Sequence, residues 1–290
     1  MDLDYTLNNK IKDDKFNIDE LEHYCLSLLV GNEDFMISIV DIRTNQCLLL
    51  EDFQFAAATD AELLEILRQI YDEHHLLKAG FWNNIKIAFK NQKFSLVPSS
   101  LFNTNQSDKY LSLTANREEG EEALFYKHIK ADCTSVFSVN SGIVAFFREV
   151  YENLKVHFLH ECATFIEGVL RHDDHTNTRT MFLSFGRSYV QVMVTENKRL
   201  LFYNRFPAET PDQVLRYIMI VMSLMELDQE TSKVLVWGNI DTVSEKFSIL
   251  YNYIRNVSFG NKPSYVKSGY VFDALEEHNY FNLLSIYPCD

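Results

Sequence analysis

The chain has 290 residues, of which 47% are apolar and 13% aromatic, enough to bury one large or two medium cores and too many for global disorder. Its formal net charge of −14, with no compensating block of Lys and Arg, disfavours a nucleic-acid backbone or an anionic membrane and suits a neutral or basic protein partner. Five scattered cysteines, none in a Cys-x-x-Cys spacing, exclude a disulfide framework or thiolate zinc site and fit the reducing cytoplasm.

The polar, charged residues 1–20 lack the apolar segment of a signal peptide and are expected to form a flexible N-terminal arm. From His23 to Phe53, three strand-like runs broken at Gly31-Asn32-Glu33-Asp34 and Arg43-Thr44-Asn45 predict a meander. Thr59-Asp60-Ala61-Glu62 is a capping box opening a helix through Leu63, Leu67 and Ile70, and His74-His75 at its end suits the helix dipole. Strands are expected at Ile85 to Phe89, Phe94 to Val97, Tyr126 to Ile129 and Ser135 to Val139, with a polar, partly helical insertion over residues 101–122. A helix follows Asn140-Ser141, and Phe158 to Leu170 reads as a linking helix.

The pattern then repeats. Met181 to Phe185 and Val190 to Val194 flank Gly186, Arg199 to Phe206 completes a second meander, and Thr210-Pro211-Asp212-Gln213 caps a second helix. That helix, Leu215 to Leu227, is apolar on nearly every face and is expected inside the domain. Strand Val234 to Trp237, Gly238-Asn239 and a helix behind Thr242-Val243-Ser244-Glu245 continue the second half. The longest apolar run, Tyr217 to Met225, is too short to span a bilayer, so a soluble, cytoplasmic protein without membrane insertion is expected. Two α/β domains, 21–155 and 156–290 with the linking helix in the second, each a mixed sheet flanked by helices, should enclose a cleft.

Other groupings carry less chemistry. His157, His160 and Glu161, with His172-Asp173-Asp174-His175 beyond, could chelate zinc if the first pair lay one helical turn apart, but read more simply as a helix end and an exposed loop. Ser138-Val139-Asn140-Ser141-Gly142 is a strand-to-helix junction whose serine serves better as a cap than as a nucleophile. No Walker loop, Rossmann fingerprint or nucleophile elbow is present.

The duplicated order resembles the actin-like ATPase superfamily, which shares its sheet core with ribonuclease H. In texture and in its ending HNYFNLLSIYPCD the chain is similar to an uncharacterised Bacteroidetes family, a domain of unknown function with this fold. The resemblance implies that Leu29-Val30-Gly31 and Ser184-Phe185-Gly186 are the two phosphate hairpins and Trp237-Gly238-Asn239 the adenosine turn. It also implies an Asp two residues before each hairpin glycine, to hold Mg²⁺ or orient water. Leu29 and Ser184 stand there, and Asn239 replaces the second glycine of the adenosine turn. A ribonuclease H-type carboxylate on the first strand is missing for the same reason, since Ser27, Leu28 and Leu29 occupy it.

Glu33, Asp34, Arg187 and Ser188 are the remaining polar residues at the hairpin turns, and a weak, metal-free nucleotide or anion site there stays open. Otherwise the glycines serve hairpin turns that need a positive φ. The reading that follows is a non-catalytic, degenerate actin-like scaffold acting through protein contacts without a cofactor. The alternative is an ATP-binding enzyme, an ATPase or small-molecule kinase, using displaced carboxylates in the interdomain cleft.

Overall fold

A computed structural model of the chain describes residues 5–172 and 178–289. The first meander is β2 (Tyr24–Val30), β3 (Asp34–Asp41) and β4 (Gln46–Gln54), followed by α1 (Asp60–Glu73) and β5 (Asn84–Phe89). An excursion then forms a separate three-stranded sheet from β6 (Phe94–Pro98), β7 (Glu121–Lys127) and β8 (Cys133–Asn140), with the short helix α2 (Ser107–Leu111) between its first two strands. The chain returns through α3 (Ser141–Val150) to β9 (Val156–His160), which pairs in parallel with β5 and completes the order β4-β3-β2-β5-β9.

Helix α4 (Glu161–Arg171) leads to the second unit: β10 (Thr180–Phe185), β11 (Tyr189–Glu196), β12 (Arg199–Pro207), α5 (Pro211–Leu224), β13 (Lys233–Gly238), α6 (Glu245–Tyr253) and β14 (Val257–Phe259). Its sheet runs β12-β11-β10-β13-β14, the same order as the first. The two meander-and-helix units expected from the sequence are therefore a true structural repeat. Local signals set their helix starts: Thr59 Oγ1 accepts from the Glu62 N–H, and Thr210 with Gln213 forms a reciprocal capping box. The cap of α6 is Ser244 rather than Thr242.

Three expectations need correction. Residues 6–12 of the anticipated arm form β1 (Thr6–Lys12), an outer strand paired with β4; residues 1–4 lie outside the described chain. Buried Glu51 pins it, ion-paired with Lys10 at 2.9 Å and with His74 at 2.6 Å, so His74 serves this cluster rather than the helix dipole alone. The proposed border at 155/156 cuts off β9, which belongs to the first sheet, and the linking helix begins only at Glu161. Helix α5 buries one face, through Val214, Ile218, Val221 and Met222, and leaves Ile220 and Leu224 exposed.

The two halves are not separate bodies. One apolar cluster runs through both, with the Phe94 and Tyr203 rings 5.7 Å apart and Phe165 of α4, buried from Glu161 to Leu170, beside Tyr203 and Trp237. Beyond β14 the chain crosses back: β15 (Lys267–Ser268) pairs with β4, and α7 (Phe281–Leu284) packs on α4. Val266, Phe272, Leu283 and Ile286 cover Leu29, Val40, Cys47 and Leu50 of the first sheet. Lys86 of β5 donates to the carbonyls of Tyr287 and Cys289. Residues 266–289, placed in the second domain by sequence, thus complete the first. All five cysteines are buried and unpaired in disulfides, and among the described residues no helix is long and apolar enough to cross a membrane.

Candidate functional site

Both hairpins close with the same bond, Gly31 N–H to Asp34 O at 3.0 Å and Gly186 N–H to Tyr189 O at 2.9 Å, which makes Asp34 and Tyr189 structural equivalents. Neither glycine has a positive φ, contrary to the simple turn reading. Gly186 is needed for space, and Gly31 is closely covered. On the first hairpin, Lys90 just beyond β5 donates to Asp34 Oδ1 at 2.7 Å, with both side chains under a tenth exposed. A Cβ on Gly31 would sit 3.0 Å from Lys90 Cδ and 3.2 Å from Asp34 Oδ1, so the ion pair lies over the glycine. Leu29, at the missing carboxylate position, packs into the core beneath α7.

On the second hairpin the Tyr189 ring lies against Gly186, closer than any Cβ there would allow. Three contacts hold the ring: its hydroxyl donates to Glu161 Oε1 at 2.5 Å, the Arg205 guanidinium stacks 3.6 Å above it, and Gly186 backs it. Ser184 Oγ accepts from Asn282 Nδ2 at 3.1 Å, and the same amide donates to Glu161 Oε1 at 3.1 Å. Where the resemblance places a metal-binding carboxylate, a serine is thus tied to α7. At the third turn, Gly238 has φ +95° and a Cβ there would collide with the Phe185 backbone. Its N–H donates to His278 O at 2.9 Å and that of Asn239 to Phe185 O at 2.8 Å, so both amides are engaged within the chain.

The interdomain space is consequently divided. A larger chamber of about 750 Å³ is bordered by Gly31, Glu33, the first turns of α1 and α3, Ser188 and Arg205. A smaller one of about 280 Å³ is bordered by Asp52, Ser184, Gly186, Arg187, Gly238 and Asn239. Asp34, Lys90 and Tyr189 face both and form the partition. Of the residues selected by sequence, Asp34, Ser184, Gly186, Arg187, Gly238 and Asn239 meet in the smaller chamber, while Gly31 and Glu33 lie in the larger. Arg187 is half-buried, its side chain pairs with no described acid, and only its backbone carbonyl is engaged, by Lys246 at 3.1 Å.

Sequence reasoning missed Lys90, Asp52, Tyr189, Arg205 and Asn282, and named Glu161 only as a possible zinc ligand. Lys90 and Glu161 directly follow β5 and β9, and the carboxyl ends of parallel strands are where α/β sheets gather ligands, a signal available once strands are assigned. Burial, with help from the neighbouring Asp34 carboxylate, pushes the Asp52 carboxyl up despite the hydrogen bond from Asn8. Burial, followed by the charge of Glu161, holds the Tyr189 hydroxyl well above the usual phenol range.

The suggested metal pair is not one. His157 and His160 lie on strand β9, three residues apart and so on opposite faces rather than stacked on a helix. His160 is fully buried and its Nδ1 accepts the Cys162 N–H as the N-cap of α4, which places the ring proton on Nε2, facing Asn91 O at 3.1 Å. Asp173, Asp174 and His175 lie outside the described residues. Among the described residues no three His, Cys, Asp or Glu side chains cluster to hold a metal.

Burial, reinforced by Arg205, lowers the His160 pKa to about 3. A histidine depressed on folding stabilises fully above its unfolded value near ~6.5 and loses that contribution as pH falls toward 3, because the unfolded chain takes up the proton first. Stability should therefore drop by about 2 kcal/mol between pH 7.5 and pH 5 on account of this residue. His160→Asn, which keeps a capping acceptor, should remove that part of the slope in urea titrations at the two pH values. An unchanged slope would dismiss the assignment.

A twice-repeated five-stranded sheet of this order, with hairpins facing an interdomain cleft, defines an actin-like ATPase fold, and solved structures agree. A Bacteroides thetaiotaomicron VPI-5482 protein with an actin-like ATPase fold and unknown function is similar at TM-score 0.80 and 17% identity, over 95% of this chain and 99% of that one. A PilM-PilN type IV pilus biogenesis complex is similar at TM-score 0.54 and 11% identity, over 90% and 97%. The chain belongs to the family described as "Protein of unknown function (DUF3822)", whose model matches residues 13–257. No curated protein matches it.

Proposed function

We propose that this chain is a non-catalytic actin-like scaffold that works through protein contacts in the cytoplasm, with no nucleotide cofactor. The observation that carries the reading is the partition: the Lys90–Asp34 pair and the Tyr189 ring lie against the two hairpin glycines, where a nucleotide's phosphates would lie. The engaged amides of Gly238 and Asn239 support it. The acidic surface favours a neutral or basic partner. The PilM-PilN complex offers a fold-level analogy, a similar fold engaged with a protein partner.

The competing reading, an ATPase or small-molecule kinase with displaced carboxylates, draws on Asp52 and Glu161. Both are buried beside the smaller chamber, with Asp52 Oδ1 and Glu161 Oε2 lacking hydrogen bonds. One titration separates the two. Millimolar ATP with Mg²⁺ should move Tm by less than about 1 °C, since a ligand stabilises only in proportion to its occupancy of the folded state. A rise of several degrees that vanishes with EDTA would overturn the scaffold reading in favour of the enzyme.

A further inference from the structure

The larger chamber contains one cation, Arg205, that makes no hydrogen bond to an acid among the described residues. The Arg205 side chain is only 9% exposed, and the carboxylate oxygen that faces it, Glu161 Oε2, is 4.0 Å away, an ion pair beyond hydrogen-bond reach. Arg205 Nε and Glu161 Oε2 are both buried without hydrogen-bond partners. The guanidinium is oriented by its stack on Tyr189 and lines the chamber. The other two cations there are committed: Lys90 to Asp34 at 2.7 Å, and Lys93 to Glu118 at 2.9 Å and Glu121 at 2.6 Å.

A guanidinium fixed in one plane, largely stripped of water and short of donors' partners, matches a planar anion that can take two parallel N–H bonds. A single guanidinium without a hydrogen-bonded acid suits a singly charged carboxylate better than a phosphate dianion. The N-terminal turns of α1 and α3, which face the same space through Ala61 and Ile143, add positive potential. Around them, however, Glu33 and Asp60 line the chamber, neither within ion-pair distance of a basic group among the described residues, and a simple anion would be repelled.

We propose that the larger chamber binds a small zwitterion of the amino-acid class with a basic side chain, its carboxylate on Arg205 and its distal cation toward Glu33 and Asp60. At about 750 Å³ the space holds such a molecule with room for its water. The proposal is independent of the scaffold reading, because it uses neither the partition's closure nor any nucleotide.

Isothermal titration calorimetry of the full chain with L-lysine tests it. Cadaverine, which lacks the carboxylate, and glutarate, which lacks the amine, are the first two comparison probes, and inorganic phosphate is the third. L-lysine should bind, and each comparison probe should bind at least about tenfold more weakly. Arg205→Gln should weaken L-lysine by at least about tenfold, whereas Arg199→Gln, on the exposed end of β12, should not. Should Arg205→Gln not fold, the Glu33→Gln/Asp60→Asn double variant carries the test, with the same loss expected. Absence of L-lysine binding, equal binding of glutarate or phosphate, or full affinity in Arg205→Gln or the double variant would each reject the site.

Discussion

Gly186→Ala should destabilise the ligand-free protein by about 3 kcal/mol or more, in the upper range for overpacking a filled site. A methyl at this position enters the Tyr189 ring, which can move aside only by giving up its stack with Arg205 and its hydroxyl bond to Glu161. The result separates two explanations of the glycine. If it served only the approach of a phosphate, an alanine would cost the empty protein little. If it serves the tyrosine, the cost appears without any ligand and should fall to within about 1 kcal/mol in a Tyr189→Ala background, where the methyl meets open space. Urea denaturation of the four proteins of this cycle is the measurement. A loss below about 0.5 kcal/mol for Gly186→Ala alone would show that the ring can yield.

Lys90→Met should cost about 3–5 kcal/mol, the range for removing one partner of a buried ion pair. Asp34 is 5% exposed and lies near the second buried carboxylate, Asp52, so without Lys90 it is left among like charge and little water. Replacing both partners, Asp34→Leu with Lys90→Met, should recover most of the loss, because the penalty comes from the abandoned charge rather than from the missing bond. Failure of the double variant to recover would mean that the pair also holds the hairpin in register. The recovered protein would further offer a version of the first hairpin without its polar cover, useful in the ATP titration.

The repeat was legible because its signals are local. Thr59 with Glu62 and Thr210 with Gln213 announce helix starts over four residues, and alternation of side chains reveals both meanders. Strand β1 was hidden because TLNNKIK lies at the sheet edge with mostly exposed side chains, leaving almost no apolar face to detect. Strand β9 was hidden because VHFLH runs straight into ECATFIEGVL, and only its parallel pairing with β5 distinguishes strand from helix there.

At the site, the hairpin glycines were found but their purpose was not. Tyr189 is only three residues from Gly186, yet what fixes the ring comes from Glu161 and Arg205, and Ser184 is bonded to a residue 98 positions away. Lys90 meets Asp34 across 56 positions. Such pairings depend on how sheets and helices come together, which a periodicity search along the chain does not see.

The return of residues 266–289 to the first sheet sets an order of events during synthesis. When β9 has emerged, every main strand of that sheet is present, but Leu29, Val40, Cys47 and Leu50 still lack the side chains that cover them. Lys86 waits for carbonyls 201 and 203 positions downstream. At about 5–20 residues per second, the interval from β9 to Val266 lasts roughly 5–20 s, during which an apolar sheet face stays bare to chaperones or to a second nascent chain. Both halves therefore stay incomplete until residues 266–289 arrive, because the same segment also holds Ser184 through Asn282 and Gly238 through His278, and non-local closure of this kind is slow.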